Sequence, residues 1–177
     1  PAMGLSRRDW LVLGGVGTVA ALAGIVAGPI LLQSGDDAGG LLTTDLPDLA
    51  GHTRRLADWK GKIVLCNFWA TWCAPCREEI PMLVDLREKY GVKGFEVVGI
   101  AVDNAANVRE FSAKYEISYP ILVAEATGLD LLRAVGNTAG ALPYTLMLDR
   151  RGEILSRKLG ILRKSVIEPI IKGLLDA

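Results

Sequence analysis

Charge of one sign is missing from this chain. Its 20 Lys and Arg balance 20 Asp and Glu, so the formal net charge at neutral pH is zero and the basic excess of a nucleic-acid binder is absent; no nucleic-acid partner is expected. Cysteine and histidine are scarce, at three and one in 177 residues. So small and odd a number of cysteines argues against a scaffold stapled by several disulfides and leaves a free thiol or a redox pair with one extra. Repeats and low-complexity tracts are also lacking, and the length admits one ordinary domain plus a modest extension, which excludes a multidomain machine. Against these absences stands one surplus. The apolar fraction is an ordinary 50%, yet mean hydropathy is +0.30, and the excess lies in one place.

Residues 11–32 are 22 consecutive uncharged positions. As a helix they would span about 33 Å, enough for a hydrocarbon core of about 30 Å. Five of the 22 are glycine, which suits a membrane helix better than a buried soluble one. Arg7 and Arg8 precede the run and Asp36 and Asp37 follow it. The positive-inside rule therefore puts residues 1–10 in the cytoplasm, with Trp10 at the interface, and the rest of the chain outside. An uncleaved anchor is the favoured reading. A cleaved secretory signal, with Ala21-Leu22-Ala23 as its small-x-small site, and a twin-arginine signal suggested by Ser6-Arg7-Arg8-Asp9-Trp10-Leu11 stay open. All three deliver the same domain outward: the expected location is the inner membrane, single-pass, with the domain facing the periplasm or extracytoplasmic space.

Residues 33–40 are polar and glycine-containing and read as a tether; residues 41–177 are the domain. Without residues 1–37, which carry two basic and three acidic side chains, 18 basic and 17 acidic groups remain. Turn punctuation at residues 48–51 suggests a short N-terminal strand pair or an extended cap, with His52 a surface residue in that turn. Residues 62–68, nearly all apolar, predict a strand covered on both faces. Residues 74–90 have helical spacing, with Ile80, Leu83, Val84 and Leu86 as the apolar stripe and a kink expected at Pro81. Gly94 ends that connection. A second buried strand follows at 95–102, then a helix to about 115 capped by Asp103 or Asn104, and a third strand at 119–124. A short helix over 128–135, a loop over 136–142, a hairpin from 144–148 and 154–160, and a helix over 164–175 complete the chain. This order implies an α/β fold, a mixed sheet with helices on both faces.

Chemistry concentrates at Cys73-Ala74-Pro75-Cys76, directly after the first buried strand and opening the first long helix. Unpaired N–H groups and partial positive charge at a helix N-terminus favour the Cys73 thiolate. Two intervening residues put Cys76 one turn further in, close enough to pair with Cys73. Cys73 should attack a partner and Cys76 should resolve the mixed disulfide. Pro75 suits the first turn, where its missing N–H costs the helix nothing. A zinc ribbon would need a second ligand pair where only Cys66 and His52 remain, and a c-type haem site would need histidine where Arg77 stands. A disulfide across two residues is a poor staple because the loop it closes is so short. No metal and no cofactor beyond the reversible Cys73–Cys76 disulfide is expected.

The run Asn67-Phe68-Trp69-Ala70-Thr71-Trp72-Cys73-Ala74-Pro75-Cys76-Arg77-Glu78-Glu79-Ile80-Pro81 resembles the thioredoxin superfamily, specifically the membrane-tethered bacterial TlpA/ResA-like reductases. Gly140-Ala141-Leu142-Pro143-Tyr144-Thr145 matches that family's second motif. The resemblance covers essentially all of the domain. It implies the thioredoxin fold with an N-terminal strand extension, a cis Pro143 facing the disulfide, and a Leu142 backbone that hydrogen-bonds an incoming strand. It also implies clients among exported cysteine-containing proteins, such as apocytochrome c or copper-site assembly proteins, and electrons from a membrane donor of the DsbD/CcdA type. A monomer is expected.

Thioredoxin's buried aspartate corresponds to Asn67, which cannot relay a proton. Glu79 stands where ResA-like proteins place a glutamate near the cysteines and is the candidate for assisting Cys76 deprotonation; the alternative is a solvent-facing helix carboxylate. Glu78 reads as plain surface. Trp72, Ala74, Pro75, Leu142 and Pro143 are the candidate docking residues, with Trp72 and Pro143 bordering an exposed sulfur. Trp69 packs against the active-site loop, and Cys66 reads as a small core residue. Competing functions are a disulfide-forming oxidant, which only the reduction potential separates; a copper chaperone of the Sco type, which needs Cys-x-x-x-Cys and a distal histidine that this chain lacks; a peroxidase, whose peroxide-site pattern is not visible around Cys73; and a docking module that does not turn over.

Overall fold

Apolar runs and their punctuation set the frame. The structure is a computed structural model that describes residues 38–177. The predicted span at residues 11–32 and most of the tether lie outside the described residues. Among those described, no helix is long and apolar enough to cross a membrane.

The described residues form seven strands, in chain order β1 (Leu46–Pro47), β2 (Thr53–Arg54), β3 (Ile63–Trp69), β4 (Phe95–Ala101), β5 (Ile121–Val123), β6 (Tyr144–Leu148) and β7 (Ile154–Leu159). The first two make the predicted hairpin, and the other five make one sheet in the order β5-β4-β3-β6-β7. β3, β4 and β5 run parallel, while β6 and β7 run antiparallel to their neighbours. β3 is central, and all seven of its residues are buried, as its unbroken apolar character requires.

Among the described residues, five α-helices surround the sheet: α1 (Ala38–Thr43), α2 (Ala74–Tyr90), α3 (Ala105–Lys114), α4 (Gly128–Ala134) and α5 (Lys164–Asp176). α2, α3 and α5 pack Ile80, Leu83, Val108, Phe111, Ile167 and Ile171 with Leu65, Trp69 and Val97 of the sheet. The opposite face carries Leu41 of α1 and Leu131 and Leu132 of α4, with Val64, Cys66 and Phe68 of β3. Alternation along β3 assigns its side chains to the two faces. Helices therefore cover both sides, the α/β arrangement that the sequence implies.

Boundaries differ in instructive places. Residues 38–40, read as tether, open α1, because Leu41 at 2% exposure anchors that turn to the core. The third strand is shorter than the predicted 119–124, since Pro120 has no N–H to give a ladder. α2 runs without interruption through Pro81, which is exposed. Val84 of the predicted stripe is only partly buried, while Cys76 and Glu79 join the buried face. Asn104 is the cap of α3, accepting from the Asn107 N–H at 2.9 Å. Gly94 has φ of 90° and ends the turn before β4, a conformation glycine adopts without steric cost.

Candidate active site

Two chain features converge at the C-terminal end of β3. β3 stops at Trp69, and Val102 N–H donates to the Trp69 carbonyl at 2.8 Å, which holds the next loop against this strand end. Asp103 then fixes the loop before the cysteines. Its Oδ2 accepts from the Thr71 N–H at 3.2 Å and from the Thr71 hydroxyl. Burial raises the Asp103 carboxyl, but the bonds from Thr71, Asn104 and Asn107 outweigh it, so the group lies below the ordinary aspartate range. This clamp was not among the residues singled out from sequence; a Thr-Asp pair 32 residues apart carries no local signal.

Cys73 is the N-cap of α2 and Pro75 lies in its first turn. The Cys73 and Cys76 sulfurs form a disulfide with Cα atoms 5.3 Å apart. Cys73 Sγ also accepts from the Cys76 N–H at 3.3 Å. The sulfur that would be the Cys73 thiolate on reduction thus sits where an orphan helix N–H and the positive end of the helix dipole favour negative charge. Cys73 is 5% exposed and Cys76 fully buried. The outer sulfur is therefore less open than the sequence reading has it. Beside it Trp72 is 69% exposed, a large apolar surface that the fold itself does not bury. Ala74 and Pro75 are exposed as well.

The second feature is the loop before β6. The Leu142–Pro143 peptide is cis. Phe68 of β3 pairs with Tyr144 of β6, so this register puts Leu142 and Pro143 at the same end of the sheet as the cysteines. Asn137 braces the loop through two bonds with Ala141, donating to its carbonyl at 2.7 Å and accepting from its N–H at 3.3 Å. Pro143 is buried and Leu142 partly so.

Glu79 does not face solvent. It is 2% exposed on the same face of α2 as Cys76, three residues earlier. Asn67 Nδ2 donates to its Oε1 at 2.8 Å and Leu162 N–H to its Oε2 at 2.8 Å. Asn67 also donates to the Thr145 hydroxyl at 3.0 Å. Burial raises the Glu79 carboxyl above its ordinary value of 4.5, and the bonds from Leu162 and Asn67 oppose that shift without cancelling it. A carboxyl held in this way can exchange a proton closer to neutrality than a surface glutamate does. Asn67, read from sequence as unable to relay a proton, orients the Glu79 carboxyl. Glu78 is exposed, and His52 lies on the surface with its side chain 76% exposed.

Cys66 is free and fully buried, and burial pushes its thiol well above the ordinary range. Trp69 is also fully buried, its ring 5.3 Å from that of Phe111. Among the described residues, no group of three or more His, Cys, Asp or Glu side chains is placed to hold a metal ion.

The AhpC/TSA family profile matches residues 41–157. The chain belongs to that family. Within it, this AhpC/TSA protein is 31% identical over 160 residues to the thiol-disulfide oxidoreductase ResA of Bacillus cereus, covering 89% of this chain and 88% of that one. It is 35% identical to ResA of Geobacillus kaustophilus over 124 residues, 70% of this chain and 69% of the relative. Among solved structures it resembles a thiol:disulfide interchange protein of the thioredoxin family from Chlorobium tepidum. The TM-score is 0.64 at 31% identity, over 75% of this chain and 92% of that one. The fold is the thioredoxin fold, and this AhpC/TSA member is a ResA-type thiol-disulfide oxidoreductase.

Proposed function

We propose that the protein is a membrane-tethered reductase of exported cysteines, working outside the cytoplasmic membrane through the Cys73–Cys76 dithiol and no other cofactor. The observation that carries this reading is the placement of the disulfide: Cys73 caps α2 and keeps 5% of its surface exposed, while Cys76 lies one turn inward, fully buried on the face that carries Glu79. In the reduced protein the Cys73 thiolate attacks a client disulfide. One client sulfur leaves with the electron pair of the broken S–S bond, and the other stays bound to Cys73. Cys76 then loses its proton to Glu79 and attacks Cys73, which re-forms the internal disulfide and releases the client as a dithiol. Two electrons pass to the client, and a membrane dithiol donor of the DsbD/CcdA type restores Cys73 and Cys76.

Docking falls to Trp72, Ala74, Pro75, Leu142 and Pro143. The exposed indole of Trp72 offers apolar contact, and Leu142 offers a backbone edge at the same end of the sheet. Formal neutrality accords with recognition through such an apolar surface. The chain acts as a monomer, and residues 11–32 hold it at the membrane beside its donor. The expected clients are exported proteins whose cysteines must be reduced for cytochrome c maturation or copper-site assembly.

Trapping tests the reading. A Cys76→Ser variant expressed in the native host should accumulate mixed disulfides through Cys73 with exported cysteine-containing proteins, and should lose turnover. A variant that accumulates none and keeps full function would mean that the domain docks partners without exchanging disulfides.

A further inference from the structure

Three polar atoms buried on the α2 face of the sheet have no hydrogen-bond partner among the described residues: Asn67 Oδ1, Trp69 Nε1 and Tyr119 Oη. They are grouped. Asn67 and Trp69 are two residues apart on β3 and so point to the same face. Asn67 pairs across the ladder with Gly99 of β4. A Cβ at Gly99 would lie 2.8 Å from Trp69 Nε1 and 3.0 Å from Tyr119 Cε2. The indole N–H and the tyrosine ring therefore converge over a β4 residue that has no side chain, at the rung held by Asn67. Glu79 adjoins the same group. It accepts from Asn67 Nδ2 at 2.8 Å, and its charge is felt at Tyr119, whose hydroxyl is raised first by burial and then by Glu79.

The chemistry of this set fits water. The Trp69 indole is a donor only, Asn67 Oδ1 an acceptor only, and a phenol does both. Left unpaired, each carries the full desolvation penalty of a buried polar group. A water molecule can accept from Trp69 and Tyr119 and donate to Asn67 and the adjoining Glu79 carboxylate, which makes about four partners, the upper end of the usual range for a buried water.

We propose that Asn67, Trp69 and Tyr119 hold an ordered water beside Glu79, and that Tyr119 acts through it as a positioning residue that sets the charge state of Glu79. The second half rests on the reading of Glu79 as proton acceptor for Cys76. The groups that face Glu79 come from four elements besides its own. α2 itself contributes Cys76, one turn before Glu79 on the same face. β3 and β6 contribute the neutral Asn67 and Thr145, the chain after β7 the N–H of Leu162, and the segment before β5 the phenol of Tyr119. A water bond to the ionised carboxylate favours that form, so losing the Tyr119 hydroxyl moves Glu79 ionisation to higher pH.

Tyr119→Phe, which removes one oxygen, provides the test in the full chain. The nuclear Overhauser contact between water and the Trp69 indole N–H should be present in the oxidised wild type and several-fold weaker in Tyr119→Phe; its absence from the wild type overturns the water site. The second readout is the pH dependence of Cys76 alkylation in the reduced wild type, Tyr119→Phe, Glu79→Gln and the double variant. Tyr119→Phe should move the Glu79-dependent limb up by about 0.5–1 pH unit and leave the Glu79→Gln profile where it is. An unmoved limb, or an equal shift without Glu79, overturns the positioning role. If Glu79→Gln itself leaves the wild-type profile unchanged, the reading of Glu79 as proton acceptor fails, and the positioning role with it; the indole contact then still decides the water site by itself.

Discussion

The two faces of β3 differ in what they do with a thiol. On one face Cys66 lies among Val64, Phe68, Val98, Ile100 and Leu146, fully buried in an apolar cluster. The other face carries Leu65, Asn67 and Trp69 toward α2, where Cys76, Glu79 and the Cys73 cap lie. Only seven positions separate Cys66 from Cys73 in sequence. The difference teaches that reactivity here follows from surroundings. A helix N-terminus and a hydrogen-bonded carboxyl lie beside one pair of sulfurs, while desolvation alone acts on the third, raising its thiol until the nucleophilic thiolate is scarce.

Four changes would break or sharpen this contrast. The largest effect belongs to Cys73→Ser, which should abolish disulfide exchange in a steady-state assay with a small disulfide substrate; residual turnover would assign the attack to another thiol. Next is Phe68→Ala on the apolar face. It should cost about 3–5 kcal/mol in denaturant unfolding, yet leave the exchange rate per folded molecule unchanged. Glu79→Gln should do the reverse. It should slow the resolving step about 100-fold in stopped-flow kinetics while a mixed disulfide still forms at Cys73.

The smallest effect is one of pH. The Glu79 carboxyl lies above its ordinary value of 4.5 in the folded protein, so the fold disfavours its ionised form. Relative to Glu79→Gln, the oxidised wild type should hold its full stability below about pH 4.5 and lose part of it as pH rises from there through the raised value. Denaturation midpoints across that range give the measurement; a difference between the two proteins that does not change with pH would show that Glu79 titrates as it does in the unfolded chain.

Much of this was legible in the order of residues. The apolar run of β3 followed at once by Cys73-Ala74-Pro75-Cys76 announced a buried strand ending at a reactive helix start. The paired segments 144–148 and 154–160 announced the β6–β7 hairpin. Other parts had no local mark. α1 hides behind Gly39 and Gly40, which read as linker, and only the tertiary burial of Leu41 explains it. The bonds that define Glu79 come from partners far away in sequence: Leu162 lies 83 residues from it. Asn67 in turn reaches Thr145 across 78 residues. Position in a motif could nominate Glu79, but whether it faced water or the core depended on strands that arrive much later in the chain. The same holds for Tyr119. It was read as the start of a strand, yet its ring instead packs over Gly99, and no pattern within a few residues separates these outcomes.

All three thiols can be compared in one experiment. Reduced, folded protein is pulse-alkylated across pH 5–10, and modification is mapped to each cysteine by mass spectrometry, in the wild type and in Glu79→Gln. Cys73 should react first and at the lowest pH. Cys76 should react more slowly, with a pH midpoint that moves in Glu79→Gln, and Cys66 should react only after denaturation. Labelling of Cys66 at the rate of Cys73, or a Cys76 profile indifferent to Glu79, would contradict the division of the two faces of β3.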